Sequence, residues 1–402
     1  MTWREFTLGE AIKVKHGFAF KSQFFSDRGK FIVLTPGNFH EEGGFRIRYT
    51  KDRFYSGEIP EMYILEEDDL IIAMTEQGPG LLGSSALIPS SGRYLHNQRL
   101  GLIHELDGSK FDKKFLFYLF NTKSVRGQIN GSASGTKVRH TSPERIYRVK
   151  VCVPSVSQQA RIASILSSYD DLILNNHRRI QLLEQSARLL YKEWFISLRF
   201  PGHEHVKINN GVPEGWERKT LGGLCEEIRE SVSPDSVEPD TPYIGLEHLP
   251  RRSIALNEWG TADQVTSSKH RFREGEILFG KIRPYFHKVG IAFVDGVASS
   301  DAIVIRPFRD ELRAFVLMTV SSDGFVAVTA QTMKEGSKMP RADWKQMQQY
   351  LVPLPPEGVR AVFNSIIDPI LQQLKTLSFE NRNLSKARDI LLPRLMNGEV
   401  VV

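Results

Sequence analysis

Residues 162–194 read IASILSSYDDLILNNHRRIQLLEQSARLLYKEW, and this stretch decides the fold. Its apolar side chains recur at alternating spacings of four and three residues, the heptad pattern of a helix that pairs with another helix. The positions in this pattern are Ile162, Leu166, Tyr169, Ile173, Asn176, Ile180, Leu183, Ala187, Leu190 and Trp194. A helix of this length rises roughly 50 Å at about 1.5 Å per residue. It cannot bury its apolar stripe alone, so the pattern predicts a partner helix.

The partner helix is indicated in the same chain, 201 residues further on. The equivalent positions are Phe363, Ile367, Ile370, Leu374, Leu377, Asn381, Leu384, Arg388, Leu391 and Leu395. Asn176 and Asn381 lie inside the stripes, where a polar residue either fixes the register of pairing or is a tolerated defect. The heptads do not show whether the helices run parallel or antiparallel. A core helix of an ordinary bundle is the alternative, and the matched second stripe disfavours it.

The repeat extends beyond the helices. Trp3 and the Thr-Leu-Gly of residues 7–9 recur as Trp216 and residues 220–222, and the Val-Cys-Val-Pro of 151–154 recurs as Val-Pro-Leu-Pro at 352–355. The chain is therefore two diverged copies of one unit. The first part of each copy is rich in Gly, Pro and short apolar runs, which predicts a mixed α/β domain with a half-buried sheet. We predict two such heads at 1–155 and 201–355, each followed by a long helix, at 156–200 and 356–402.

Composition excludes several classes of protein. The 402 residues are 41% hydrophobic and 25% charged, which is an ordinary globular balance and excludes a disordered polymer. Two cysteines, Cys152 and Cys225, are too few for a disulfide framework or a cysteine-based zinc site. Neither a signal sequence nor an apolar run of membrane-spanning length is apparent. We expect a cytoplasmic protein without a membrane partner. The formal net charge of +6 does not name a partner by itself.

The positive charge is concentrated in one part of the first head. Residues 110–150 contain ten basic and two acidic side chains, around a Gly/Ser/Thr loop at 131–140. The candidate DNA-binding residues are Lys137, Arg139 and His140 of this loop and, at the equivalent place in the second copy, Lys334, Lys338 and Arg341. Such loops let backbone N–H groups and basic side chains approach phosphates or the acceptor edges of guanine. A solvated turn is the alternative, and the recurrence in both copies favours binding.

A second basic stretch, GKIRPYFHK at 280–288, places Lys281, Arg283 and Lys288 beside Tyr285. Cations interleaved with aromatic rings suit a nucleic-acid backbone, although a strand with a charged outer face has the same pattern. The sequence lacks the phosphate-loop, zinc-protease, hydrolase-elbow, amino-methylation and nuclease motifs. We therefore expect no catalytic residue and no metal site, and the pattern indicates a two-headed binding protein.

Residues 190–204 read LYKEWFISLRFPGHE, and residues 388–399 read RDILLPRLMNGE. These and other segments resemble the specificity (S) subunit of type I restriction-modification enzymes. Residues 190–204 resemble the segment that joins the family's first conserved region to its second recognition domain. Residues 388–399 are similar to the family's C-terminus. Within the heads, GFAFKS at 17–22, YIGLEH at 243–248, GKIRPY at 280–285 and SSDAI at 299–303 also look like it. The resemblance covers essentially the whole chain.

The resemblance implies a mixed α/β fold with two pseudo-symmetric target recognition domains, each a mixed sheet with flanking helices. The two long helices would form an antiparallel coiled-coil spacer between them. Each head would read one half of a split DNA sequence. Because Arg388 stands in the stripe and Pro393 lies near its end, we expect the helices not to pair along their full length.

The resemblance also implies which partners do the chemistry. The chain would bind double-stranded DNA and two methyltransferase (modification) subunits, and through them restriction and translocase subunits. S-adenosylmethionine, ATP and magnesium would be bound in those partners, with no cofactor in this chain. The alternative is a coiled-coil scaffold that joins proteins without reading DNA, and the basic loops at equivalent places argue against it.

Overall fold

A computed structural model describes residues 3–48, 52–331 and 339–402. The chain divides into two compact units, residues 1–170 with 386–402, and residues 171–385. The two long helices run through both units, so each unit contains one head together with one end of each long helix.

Within residues 3–48 and 52–155, the first head contains thirteen strands and three short helices before the first long helix. The strands are β1 Arg4–Thr7, β2 Ile12–His16, β3 Phe25–Ser26, β4 Phe31–Val33, β5 Phe54–Tyr55, β6 Ile64–Leu65, β7 Leu70–Ala73, β8 Thr75–Glu76, β9 Ser85–Leu87, β10 Tyr94–Leu95, β11 Leu100–Leu106, β12 Arg139–His140 and β13 Lys150–Val153. The helices are α1 Lys113–Phe120, α2 Lys123–Gly131, α3 Pro143–Tyr147 and the long α4 Val156–Tyr191. Asp112 and Thr122 begin α1 and α2 by accepting hydrogen bonds from Phe115 N and Val125 N.

The described residues of the second head form fourteen strands, and the second long helix follows them. The strands are β14 Ile208–Asn209, β15 Val212–Pro213, β16 Glu217–Thr220, β17 Cys225–Ile228, β18 Ser231–Val232, β19 Pro242–Ile244, β20 Ala255–Leu256, β21 Gly260–Thr261, β22 Lys269–Phe272, β23 Ile277–Gly280, β24 Val289–Ala292, β25 Gly296–Ala298, β26 Ala302–Pro307 and β27 Leu351–Leu354. The helices are α5 Arg313–Val320, α6 Asp323–Gln331, α7 Trp344–Met347 and the long α8 Glu357–Met396.

Both heads use the same sheet topology, so the repeat in the sequence is also a repeat in the structure. The strand order β2-β11-β7-β9 of the first head recurs as β17-β26-β23-β24 in the second, where β20 is added at the edge. A second, mixed sheet has the order β3-β5-β4-β10-β6 in one head and β18-β22-β25-β19-β21 in the other. The pairs β1–β13 and β16–β27 bring the start of each head beside the strand that leads into its long helix.

The central strands are buried on both faces, which differs from the half-buried sheet that we expected. In β7, Leu70 and Ile72 pack into one apolar cluster, while Ile71 and Ala73 pack into another. The first cluster includes Phe115 of α1, so a helix covers one face, and residues of the mixed sheet cover the other. A strand covered on both sides reads as a continuous apolar run.

The long helices are antiparallel, as the resemblance implied. Within residues 171–385, Trp194, just beyond the end of α4, packs on Phe363 near the start of α8, with ring centroids 5.8 Å apart. Further back along α4, Asn176 donates to Glu380 at 3.3 Å. All the heptad positions are buried or half-buried, including Leu183, Leu190 and Ile370.

The expected interruption near the end of α8 is wrong. In the first unit, Arg388 donates to Asp170 at 2.6 Å, so the charged heptad position forms an ion pair across the two helices. The helix continues past Pro393 to Met396, and Leu395 packs in the same buried cluster as Ile162. The proline lies in the last turn, where the loss of one helical hydrogen bond disturbs little of the helix.

No single helix in the described part of the chain is long and apolar enough to span a membrane. Two consecutive segments, Asp310–Val320 and Asp323–Gln331, reach that length and apolarity only together, and they are bent by 65° at the break between them. Their side chains Phe315, Leu317 and Phe325 are buried in the core of the second head.

Candidate nucleic-acid interface

In each head, the last residues of the basic loop lie across the end of the central strand. In the first head, β12 pairs antiparallel with β8, and Thr141 N donates to Met74 O at 3.0 Å. In the second head, Arg341 bridges Ile282, and Ala342 N donates to Lys281 O at 2.8 Å. Thr141 and Ala342 are separated by the same 201 residues as the paired heptad positions. The two copies therefore build the same junction of loop and strand end.

This junction joins the two basic segments that were singled out in the second copy. Arg283 N donates to Pro340 O at 2.9 Å, so the segment at 280–288 lies beside the end of the loop that contains Arg341. Lys334 and Lys338 of the same loop lie outside the described residues.

In the first head, the three candidate side chains differ in their surroundings. Lys137 is exposed and has no partner among the described residues, and His140 is exposed at the edge of a cleft. Arg139 instead donates to the buried Glu76 at 3.2 Å and to the carbonyl of Asn130 at 2.6 Å. Its guanidinium therefore holds the loop against the strand end. This structural role explains the position of Arg139 without any contact to DNA.

The cleft beside this junction has a volume of about 1100 Å³. Its described lining includes Arg48, Arg53, Gln98 and Arg99, together with His140. Arginine and glutamine present the hydrogen-bonding groups that recognise guanine and adenine edges and phosphates. Sequence reasoning missed these lining residues because they come from separate segments that only the fold brings together.

In the second head, two of the candidate cations are paired with carboxylates. Lys281 Nζ lies 3.8 Å from the buried Glu227 and donates to Ser300 O at 3.1 Å. Arg341 pairs with Asp301 at 3.2 Å. The contact of Arg341 ties the end of the loop to the sheet, and that of Lys281 ties the segment after β23 to β17. These two charges are therefore partly neutralised before any ligand binds.

Arg283 and Tyr285 face solvent on the same tight turn. Arg283 has φ +50° and His287 has φ +55°, so left-handed residues flank both ends of the short helix at Pro284–Phe286. Tyr285 is 51% exposed, with its ring edge-on to Phe286. Lys288 is half-buried, donates to Leu246 O, and has its pKa lowered by burial. Residues held in uncommon backbone conformations cluster at functional sites, which makes this turn a candidate contact.

A carboxylate of α4 anchors the second head to the long helix. Glu184 Oε1 accepts hydrogen bonds from Ser253 Oγ at 2.6 Å, Ile254 N at 2.8 Å and Ala255 N at 2.9 Å. The side chain is buried, and that burial raises the pKa of Glu184. One turn further on, Arg188 donates to Ser321 O at 3.1 Å. Sequence reasoning missed this anchor because an acidic residue beside a heptad stripe is usually solvated.

Metal binding has no candidate group in the part of the chain that the structure describes. No three or more His, Cys, Asp or Glu side chains among those residues come together in a way that could hold a metal ion.

Comparison with known proteins identifies the relatives. Residues 1–185 match the family model described as "Type I restriction modification DNA specificity domain". The chain is similar to several curated type I specificity subunits. It is 26% identical over 436 residues to the type I restriction enzyme EcoBI specificity subunit of Escherichia coli, covering 99% of this chain and 86% of that protein. It is 24% identical over 305 residues to the MjaIX specificity subunit of Methanocaldococcus jannaschii, covering 72% and 69%.

The fold is shared with a solved structure. The S subunit of a type I restriction-modification system from M. genitalium superimposes with a TM-score of 0.62 at 16% identity, over 98% of this chain and 96% of that one. The mixed α/β architecture with long helices that the sequence predicted is therefore confirmed.

Proposed function

We propose that this chain is the DNA-specificity subunit of a type I restriction-modification system and that each head reads one half of a split target. The observation that carries the proposal is the junction of basic loop and strand end, which both heads form at equivalent positions. In this proposal, residues 1–155 and 201–355 are the target recognition domains. Residues 156–200 and 356–402 form the spacer, which consists of the two antiparallel helices.

The DNA contacts divide between the heads. In the first, Lys137, His140 and the arginines of the cleft face the duplex; in the second, Arg283 and Tyr285 do so. Arg139, Lys281, Lys288 and Arg341 hold the loops in place, and they add positive potential near the phosphates. Lys334 and Lys338 belong to the same proposed contact through their position in the sequence.

A modification subunit docks on the exposed face of α4. Leu174, Leu182 and Leu189 recur at intervals of about two turns and are 69%, 57% and 52% exposed. Large apolar side chains that recur along one helix and remain in solvent suit a helix or groove of another protein. The family resemblance implies two methyltransferase subunits as partners, with restriction and translocase subunits attached through them. We assign the methyltransferase subunits to this surface.

The chemistry belongs to those partners in this proposal. S-adenosylmethionine, ATP and magnesium bind to the methyltransferase and restriction subunits, and this chain supplies the choice of DNA sequence. The cytoplasm is the proposed location because the DNA that the complex reads is there.

Reconstitution tests the function directly. The full chain, its methyltransferase subunit, duplex DNA and radiolabelled S-adenosylmethionine are combined, and each protein is omitted in turn. We expect labelled adenine only when both proteins are present. Equal labelling with and without this chain would contradict the proposal, and labelling by this chain alone would show it to be an enzyme.

A further inference from the structure

In the second head, two arginines pack against one aromatic ring. The Cζ atom of Arg251 lies 3.9 Å from the centroid of the Phe286 ring, and that of Arg283 lies 5.9 Å from the same centroid. Arg251 and Arg283 are both exposed. Cation–π contact holds each guanidinium near the ring without neutralising its charge.

These two charges have no carboxylate partner among the described residues. Other arginines of the second unit do have such a partner: Arg229 pairs with Glu227, Arg252 with Asp323, and Arg309 with Glu311. Lys288 adds a third positive charge nearby, and after burial it is the charge of Arg251 that most lowers the pKa of Lys288. Cations gathered around one ring repel one another, so the arrangement is favourable when an anion occupies the surface.

The backbone fixes the position of Arg251. Its neighbour Arg252 donates its backbone N–H to His287 O at 2.8 Å, which ties the loop to the turn that contains Arg283. On the other side, Ser253 donates to Glu184 of α4. The two arginines are therefore presented on a preformed surface, and a ligand would bind with little cost in ordering them.

We propose that Arg251 and Arg283, held against Phe286, each bind a backbone phosphate of double-stranded DNA. This proposal rests on the proposed function, and it adds Arg251, which no sequence motif indicated, to the contacts of the second head. Guanidinium groups match phosphate oxygens in a two-pronged geometry, and the ring restricts their movement. Phosphate contacts position a protein on the duplex without reading its sequence.

The test is the salt dependence of DNA binding by the full chain. Affinity for a duplex of random sequence is measured from 50 to 200 mM KCl for the wild type, R251Q, R283Q and the double variant. Each lost phosphate contact should reduce the slope of log K against log salt by about 0.9. Between 50 and 200 mM KCl, the affinity of a single variant should therefore fall by a factor about 3.5 times smaller than the factor for the wild type. In the double variant, the slope should decrease by about twice that amount. R251K, which keeps the charge, should restore the wild-type slope.

Arg309 is the matched control because it is an exposed arginine of the same unit that is already paired with Glu311. R309Q changes the net charge by the same amount and should leave the slope unchanged. If R251Q and R309Q give the same slope while the wild type binds, the proposed phosphate contact is wrong and the proposed function stands. If the wild type does not bind DNA at any salt concentration, both are wrong.

Discussion

At the residue scale, several basic side chains of the candidate site are held by carboxylates and by an aromatic ring from distant segments. Lys137, Lys281 and Arg283 could be singled out because basic side chains in a Gly-rich or aromatic setting are visible along the chain. That Arg139 and Arg341 pair with Glu76 and Asp301 could not be foreseen, since those carboxylates lie far away in sequence. Arg251 was missed for the same reason, because the ring that holds it comes from another segment.

Glu184 shows the energetic consequence of such a hidden contact. Replacement by alanine leaves one hydroxyl and two buried backbone N–H groups without an acceptor, so E184A should lower the free energy of unfolding by about 3 kcal/mol. Urea unfolding of both proteins measures this change in the free energy of unfolding. Q185A, at the exposed neighbour on the same helix, is the control and should be close to neutral.

The raised pKa of Glu184 also predicts a pH dependence. Burial favours the protonated acid, so its stabilising contribution is complete below the ordinary value of 4.5 and is lost as pH rises through the folded-state pKa. E184Q has no such titration. As the pH rises above 4.5, the wild type should therefore lose stability relative to E184Q, and parallel pH profiles would contradict the assignment.

At the element scale, the long helices were the most predictable part of the fold. Strict heptads over many turns leave no competing structure, and α4 and α8 occupy the two stretches where they occur. The strands were less predictable. β7 and β23 are apolar throughout because a helical layer covers one face and a second sheet the other, and a short apolar run does not specify how many faces are covered.

The exposed apolar face of α4 allows a test of the proposed docking of the methyltransferase subunit. The double variant L182E/L189E should lose binding to the methyltransferase subunit, because it places two charges on the exposed apolar stripe, and it should still bind DNA. Co-purification with the tagged methyltransferase subunit measures the first property. Q181E/Q185E adds the same charge at exposed positions of the same helix and should bind normally. Equal recovery of both variants would rule out this face as the docking surface.

At the scale of the whole molecule, internal repetition predicted two heads and two helices. It did not predict that the last residues of the chain complete the first unit. The antiparallel course of α8 explains this, since it returns the chain to the first head. Gly398, with φ +80°, then lies against the ring of Trp3, where a Cβ atom would come within 2.7 Å of the ring. The heptads alone did not specify the direction of the helices, which the family resemblance implied.

We propose that the two heads of one chain read two separate pieces of DNA sequence. Mapping of methylated adenines across the genome of cells that express this chain with its methyltransferase subunit tests it most directly. We predict a single motif of two short specified parts separated by a fixed number of unspecified base pairs. A contiguous motif without a gap, or a methylation pattern that is the same when this chain is omitted, would contradict the account.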